Sequence, residues 1–182
     1  MEAVLDPLLH LITECRNGNR QAQFELYKRY SQAMYNVALR IVSDSAEAED
    51  VLQEAFLDAF KRINDFRHES TFGLWLKQIV VNRAINYLRK RKAEFISLEE
   101  QDFPLEIDPG EEEVQLKVEA IKAAMNTLPD GYRVVLSLYL FEGYDHEEIA
   151  HILQISENTS RSQFMRAKRK LYDLLVTRGI ER

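Results

Sequence analysis

One cysteine, Cys15, occurs in the 182 residues of this chain. A lone thiol can neither close an internal disulfide nor complete a zinc site, which excludes a stapled secreted module. No local basic partner activates it, so Cys15 is read as an ordinary half-buried thiol rather than a nucleophile. Proline is confined to positions 7, 104, 109 and 129, so none interrupts residues 8–103 and none follows 129. Glycine is as scarce, with six in the chain. No run approaches 18 uninterrupted apolar residues, which excludes a membrane-spanning helix and membrane insertion through one. Residues 1–16 hold acids and a proline where a secretory signal needs a basic start and an apolar run, so no signal peptide is expected and the expected location is cytoplasmic. Sustained apolar–polar alternation, the mark of a half-buried strand, is missing. So are a glycine-rich loop leading to Lys-Ser or Lys-Thr and a serine in a nucleophile elbow. Neither an enzyme nor a bound cofactor is expected.

What remains is 46% hydrophobic and 30% charged, enough for a packed core and too apolar for wholesale disorder. The length suits one domain or two small ones. The net charge of -6 misleads until it is divided along the chain. Residues 1–94 carry +1, residues 95–120 carry one Lys against nine acids, and residues 121–182 carry +1. All the net acidity therefore sits between two near-neutral halves.

Two long stretches free of proline, with apolar residues three or four apart, predict an all-α chain of two small helical domains joined by an acidic linker. The boundaries are 1–94, a linker at 95–113 and 114–182. In the first half a helix is expected near 20–42, with Phe24, Tyr27, Met34, Val37, Ala38 and Ile41 facing inward. Ser43-Asp44-Ser45 breaks it and offers caps for a helix from Ala46 to about Ile63. Residues 64–70 form a polar loop holding Phe66 and Arg67, after which Ser70 or Thr71 caps a helix reaching Arg91. In the second half a helix resumes near Glu112 and stops at the turn Leu128-Pro129-Asp130-Gly131. Two shorter helices and a long basic one follow.

His146-Glu147-Glu148-Ile149-Ala150-His151 resembles a zinc-protease motif at first sight. Its histidines are five apart, roughly 140° around a helix, and cannot share an ion. The same residues instead begin a helix-turn-helix. Ile149, Ala150, Ile152 and Leu153 give a short helix its apolar face, Ile155 plugs the turn, and Ser156 caps the next helix. On that helix Ser160, Phe164, Ala167, Leu171 and Leu174 fall inward, while Arg161, Ser162, Met165, Arg166 and Arg169 fall on or beside the opposite side. Arginine and hydroxyl groups there suit base edges and phosphates.

The helix over residues 71–92 is apolar almost all the way round, except for one strip of Thr71, Trp75, Gln78, Asn82, Asn86 and Arg89. Amides beside a tryptophan suit hydrogen bonding to base edges and stacking, and the run Arg89-Lys90-Arg91-Lys92 offers phosphate contacts. A solvated polar strip ending in a basic helix C-terminus is the other reading of the same residues.

The run from Ala46 to Phe56, the stretch Phe66-Arg67-His68-Glu69-Ser70-Thr71-Phe72 leading into Trp75-Leu76, and the basic helix-turn-helix together resemble a bacterial extracytoplasmic-function sigma factor. The resemblance spans roughly residues 8–176 with three motifs in order. It implies two helical domains, sigma regions two and four, and the initiation of transcription in response to a stress or envelope signal. It assigns Asp50, Gln53, Glu54 and Phe56 to docking on the clamp helices of core RNA polymerase. Phe66, Arg67, Thr71, Trp75, Gln78, Asn82 and Asn86 match the part that captures an unstacked base of the minus-ten element. Thr159, Arg161, Ser162, Met165 and Arg166 match the part that reads the minus-thirty-five duplex. The partners implied are core polymerase, promoter DNA and an anti-sigma factor. Two departures stand out: Gln78 replaces a frequent arginine, and Asn158-Thr159-Ser160 replaces a more usual Gly-Thr-Val, with Ser160 expected to weaken inward contacts or shift the helix. The alternatives are a stand-alone dimeric regulator of duplex DNA and a helical adaptor that binds only protein.

The acidic linker suits a positively charged polymerase channel better than a DNA surface. Replacing its acids with Asn and Gln should weaken binding to core polymerase in a titration; unchanged affinity would remove that role.

Overall fold

The computed structural model describes residues 8–91 and 118–177, so the linker at 95–113, Lys92 and the helix start expected near Glu112 lie outside the described residues. The chain divides after Arg91 into two compact units. All regular structure among the described residues is helical, and no helix there is long and apolar enough to cross a membrane.

The first unit holds α1 (Leu9–Arg16), α2 (Arg20–Val42), α3 (Ser45–Lys61), a single 3₁₀ turn (Ile63–Asp65) and α4 (Phe72–Arg91). Asn19 starts α2, its side-chain oxygen accepting from the backbone N–H of Gln21 at 2.9 Å and of Ala22 at 3.3 Å. The α2–α3 corner takes two residues. Ser43 turns left-handed at φ 62° with its N–H on Leu39, and Asp44 caps α3 by accepting from Glu47 N–H at 2.9 Å. Local hydrogen bonding thus stops one helix and starts the next, as the Ser-Asp-Ser break predicts.

Helices α2, α3 and α4 pack on one another, and α1 closes the bundle against α2 and the 3₁₀ turn. On α3 the facing residues include Ala48, Ala55 and Ala59, all fully buried. Small side chains let the neighbouring helices approach closely, and Leu26, Ile41, Phe72, Leu76, Ile85 and Leu88 fill the space between. The inner stripe of α2 differs from the expected one: Met34, Val37, Ala38 and Ile41 are buried, but Phe24 is 56% exposed and Tyr27 37% exposed. Ala22 and Leu26 take the inward places, because Phe24 lies two residues from each, roughly 200° around the helix. Cys15 is fully buried rather than half-buried, and its burial together with Glu14 pushes the thiol up to about 11, leaving it protonated and unreactive.

The second unit holds α5 (Val118–Asn126), α6 (Asp130–Leu140), α7 (His146–Leu153) and α8 (Glu157–Thr177). Asp130 and Gly131, expected in a turn, form the first turn of α6 instead. Pro129 supplies the boundary there, and the buried Arg133 guanidinium ties it down, bonding the Leu128 carbonyl at 2.9 Å and the Asp130 carboxylate at 2.5 Å. Helix α6 packs on both α7 and α8, and Met125, Leu128, Leu136 and Ala167 form a buried cluster with Phe164, Leu171 and Leu174 against it. Helix α7 opens with a capping box, in which Asp145 accepts from Glu148 N–H and Glu148 accepts from Asp145 N–H, both at 2.8 Å.

Asp44→Ala should remove the α3 cap at about 1 kcal/mol, read as a roughly fivefold faster amide exchange in the first turn of α3. Unchanged exchange there would show that the cap contributes nothing.

Candidate nucleic-acid interface

Helix α4 is buried on two sides, and the amide strip is what those contacts leave uncovered. Thr71, Trp75, Gln78, Asn82, Asn86 and Arg89 fall within an arc of about 80° at 100° per residue. Gln78, Asn82 and Asn86 are exposed, whereas Trp75 and Arg89 are half-buried. Thr71 caps the helix, its hydroxyl accepting from Leu74 N–H at 3.3 Å, and it too is exposed. Arg89 donates to the Asn86 side-chain oxygen at 3.3 Å, fixing which way that amide points.

The loop ahead of α4 departs from expectation at Phe66. Its ring is buried rather than open to solvent, with centroids 5.8 Å from Phe72, 5.4 Å from Trp75 and 4.5 Å from His68. A large ring next to two others gains more from burial, roughly 1.5–3 kcal/mol, than an exposed loop position offers. Phe66 therefore forms the floor under Trp75 and cannot itself stack on a base in this conformation. The neighbouring Arg67 points into solvent. The groups gathered at the surface are thus Arg67, Thr71, one side of Trp75 and the amide strip.

The basic run at the end of α4 is also partly spent. The Arg91 guanidinium pairs with Glu47 of α3. Arg83, further back, pairs with Asp58 and lies 3.3 Å from Glu54. Lys90 stays exposed. Such part-exposed pairs are worth at most about 1 kcal/mol each, less than one buried leucine, so they orient α3 against α4 rather than hold the two together.

On α3, Asp50, Gln53 and Glu54 are exposed as expected. Phe56 is not, being 3% exposed with its ring 4.8 Å from Tyr27 and 5.8 Å from Phe60. Leu57 takes the outward place at 59% exposure, in step with Asp50, Gln53 and Glu54 at spacings of seven, four and three. The same spacing in the sequence places Leu57, not Phe56, on the outward face.

In the second unit Ser156 caps α8, accepting from Thr159 N–H at 3.0 Å, and the two hydroxyls lie 2.8 Å apart. Thr159 is thereby half-buried in the cap. Arg161, Ser162 and Met165 are exposed and Arg166 half-buried. Arg161 donates to Glu157 at 3.1 Å, a surface pair that another acceptor can displace at little cost, and Ser162 donates to the Thr159 carbonyl at 3.0 Å. Arg169 and its neighbours Lys168 and Lys170 extend the exposed basic surface of the helix.

Ser160, expected to weaken the inward face, does something sequence reasoning missed. It is fully buried, and its hydroxyl shares a 2.9 Å hydrogen bond with His146 Nδ1 on α7. The His146 ring stacks on Tyr139 of α6 at 4.7 Å and meets Phe164 of α8 edge-on at 5.5 Å. One histidine thus joins three helices, and a polar contact holds α8 against α7. The only available signal was the pairing of an unusual inward Ser160 with a histidine at the start of α7.

The family description for sigma-70 region 2 matches residues 26–94, and that for sigma-70 region 4 matches residues 118–171. The RNA polymerase sigma-H factor of Pseudomonas aeruginosa is 32% identical over 170 residues, covering 87% of this chain and 88% of that one. The extracytoplasmic-function RNA polymerase sigma factor SigM of Bacillus subtilis is 33% identical over 159 residues, covering 86% and 96%. Among solved structures, the sigma factor RpoE of Bartonella quintana, crystallised with the anti-sigma factor NepR, aligns at TM-score 0.57 and 25% identity, over 83% of this chain and 94% of that one.

Ser160→Ala leaves His146 Nδ1 without its partner and should destabilise the α7–α8 contact by roughly 1–2 kcal/mol. Amide exchange in α7 and α8 of the full chain should accelerate while α2–α4 stay unchanged; equal protection in both proteins would mean that the hydroxyl holds nothing.

Proposed function

This chain belongs to the extracytoplasmic-function class of the sigma-70 RNA polymerase sigma factors, and we propose a division of labour among its surfaces. The exposed face of α3, with Asp50, Gln53, Glu54 and Leu57, docks on core polymerase. The surface of Arg67, Thr71, Trp75 and the amides of α4 captures an unstacked base of the minus-ten element. The face of α8 bearing Arg161, Ser162, Met165 and Arg166 reads the minus-thirty-five duplex. The observation that carries this reading is that both matched regions present an exposed polar surface on a helix whose other faces are committed to a core.

Two near-neutral units bind phosphate weakly, because neutralised phosphates supply most non-specific affinity. Docking on core raises the effective concentration of both surfaces at the promoter. Melting is then capture: a base that breathes out is held against Trp75 and the amides, and the equilibrium shifts towards open DNA. The chain supplies binding surfaces and no catalytic group, and it acts in the cytoplasm beside the polymerase. With Gln78 where an arginine is frequent, its contact in the minus-ten surface is a neutral hydrogen bond rather than a charged one. An anti-sigma factor would compete with core for the chain; a candidate that binds without displacing core on a sizing column would not qualify. A stand-alone duplex-binding regulator fits poorly, since the relatives aligned over most of their length are polymerase sigma factors.

Mixed with core polymerase at moderate salt, the chain should co-elute at one to one. Asn82→Ala should slow open-complex formation by about tenfold with core binding intact, and Arg166→Ala should weaken minus-thirty-five duplex binding by 1–3 kcal/mol. If both variants failed only at core binding, the assignment of surfaces would be wrong.

A further inference from the structure

Arg16 closes α1, ahead of the stretch matched to sigma region 2, and nothing in the minus-ten surface includes it. Its half-buried guanidinium nevertheless reaches the loop that carries Phe66 and Arg67. Arg16 Nη2 donates to the Phe66 carbonyl at 2.6 Å, and Nε lies 3.5 Å from the Ile63 carbonyl. The same Nη2 is 3.4 Å from His68 Nε2, and because a guanidinium only donates, that contact uses the imidazole lone pair.

These contacts fall where the loop needs outside support. Phe66 stands just past the 3₁₀ turn, where its carbonyl has no following turn to bond, and the Ile63 carbonyl at the start of the turn accepts only a long 3.4 Å bond from Phe66 N–H. Two residues later His68 sits at φ 59°, in the left-handed region, without being glycine. Side chains on an extended segment alternate in direction. Fixing the Phe66 carbonyl therefore also fixes which of Phe66 and Arg67 turns inward under Trp75 and which faces solvent.

We infer that Arg16 is a positioning residue for minus-ten recognition: by holding the Phe66 and Ile63 carbonyls it keeps the Phe66 ring beneath Trp75 and Arg67 on the outside, so that the capture surface is assembled before DNA arrives. This rests on the reading of Arg67, Trp75 and Asn82 as the base-capturing surface. The pre-set loop lowers the ordering cost of binding, which otherwise subtracts from affinity.

The test uses the full chain assembled with core polymerase. The probe is a fork-junction DNA whose minus-ten strand was selected by the unaltered holoenzyme from a randomised pool. Arg16→Gln should weaken fork binding by about tenfold, the scale set by one orphaned carbonyl and a misplaced loop. Arg16→Lys keeps a donor for the Phe66 carbonyl and should recover most of that loss. Helical content and core binding should stay as in the unaltered chain. In the free chain Trp75 is the only tryptophan, so its emission should move to longer wavelength in Arg16→Gln as the floor beneath it opens. Unchanged fork binding in Arg16→Gln, with Arg67→Ala and Asn82→Ala both defective, overturns the role of Arg16 alone. Full fork binding in Arg67→Ala and Asn82→Ala overturns the reading beneath it. If Arg16→Lys is no better than Arg16→Gln and both lose helical content, Arg16 is a folding residue and the inference fails.

Discussion

The first unit depends on the burial of α4 between α2 and α3. Phe72, Leu76, Val80, Ala84, Ile85 and Leu88 are all at or near complete burial, and at roughly 1.5–3 kcal/mol per large apolar side chain this outweighs any polar contact nearby. That burial sets the rotation of the helix about its own axis. Once the apolar positions are inside, Gln78, Asn82 and Asn86 have no orientation left but outward. The chemistry of the proposed capture surface is therefore a by-product of core formation, and the ion pairs at Arg83 and Arg91 only refine it.

The second unit solves its positioning problem differently. In the proposed reading α8 must stand at a fixed angle to α7 for its exposed face to meet a groove. At that crossing Ser160 and His146 share a hydrogen bond, with Tyr139 and Phe164 closing around the imidazole. A hydrogen bond between buried groups is directional where an aliphatic contact is not, so register here is set by an angle as well as by volume. The same division recurs at the loop of the first unit, where a buried aromatic floor carries the energy and a guanidinium sets direction.

Much of this was legible in the residues before any coordinates. Helix periods, the caps at Asp44, Thr71 and Ser156, and the polar faces of α4 and α8 all follow from spacing and side-chain chemistry within a few residues. The misreadings share one cause. Phe24 and Tyr27 read inward from their spacing but lie outside, because hydrophobicity says that a ring prefers burial but not which of several rings finds a place; Phe56 and Phe66, which the resemblance puts at contact surfaces, take those buried places instead. Arg91 reads as a phosphate contact in the sequence because its partner, Glu47, is 44 positions away.

The sequence by itself determined that the chain is helical, where most of its longer helices start and stop, and which arcs are polar, because hydrogen bonds from residue i to i−4 and capping groups are local. Tertiary structure alone decided how the polar groups are spent. Arg83 meets Asp58 across 25 positions, His146 meets Ser160 across 14, and Arg16 meets the Phe66 carbonyl across 50. No periodicity encodes such meetings. They exist only after burial has brought distant helices side by side, and they separate a side chain free to touch DNA from one already holding the protein in shape.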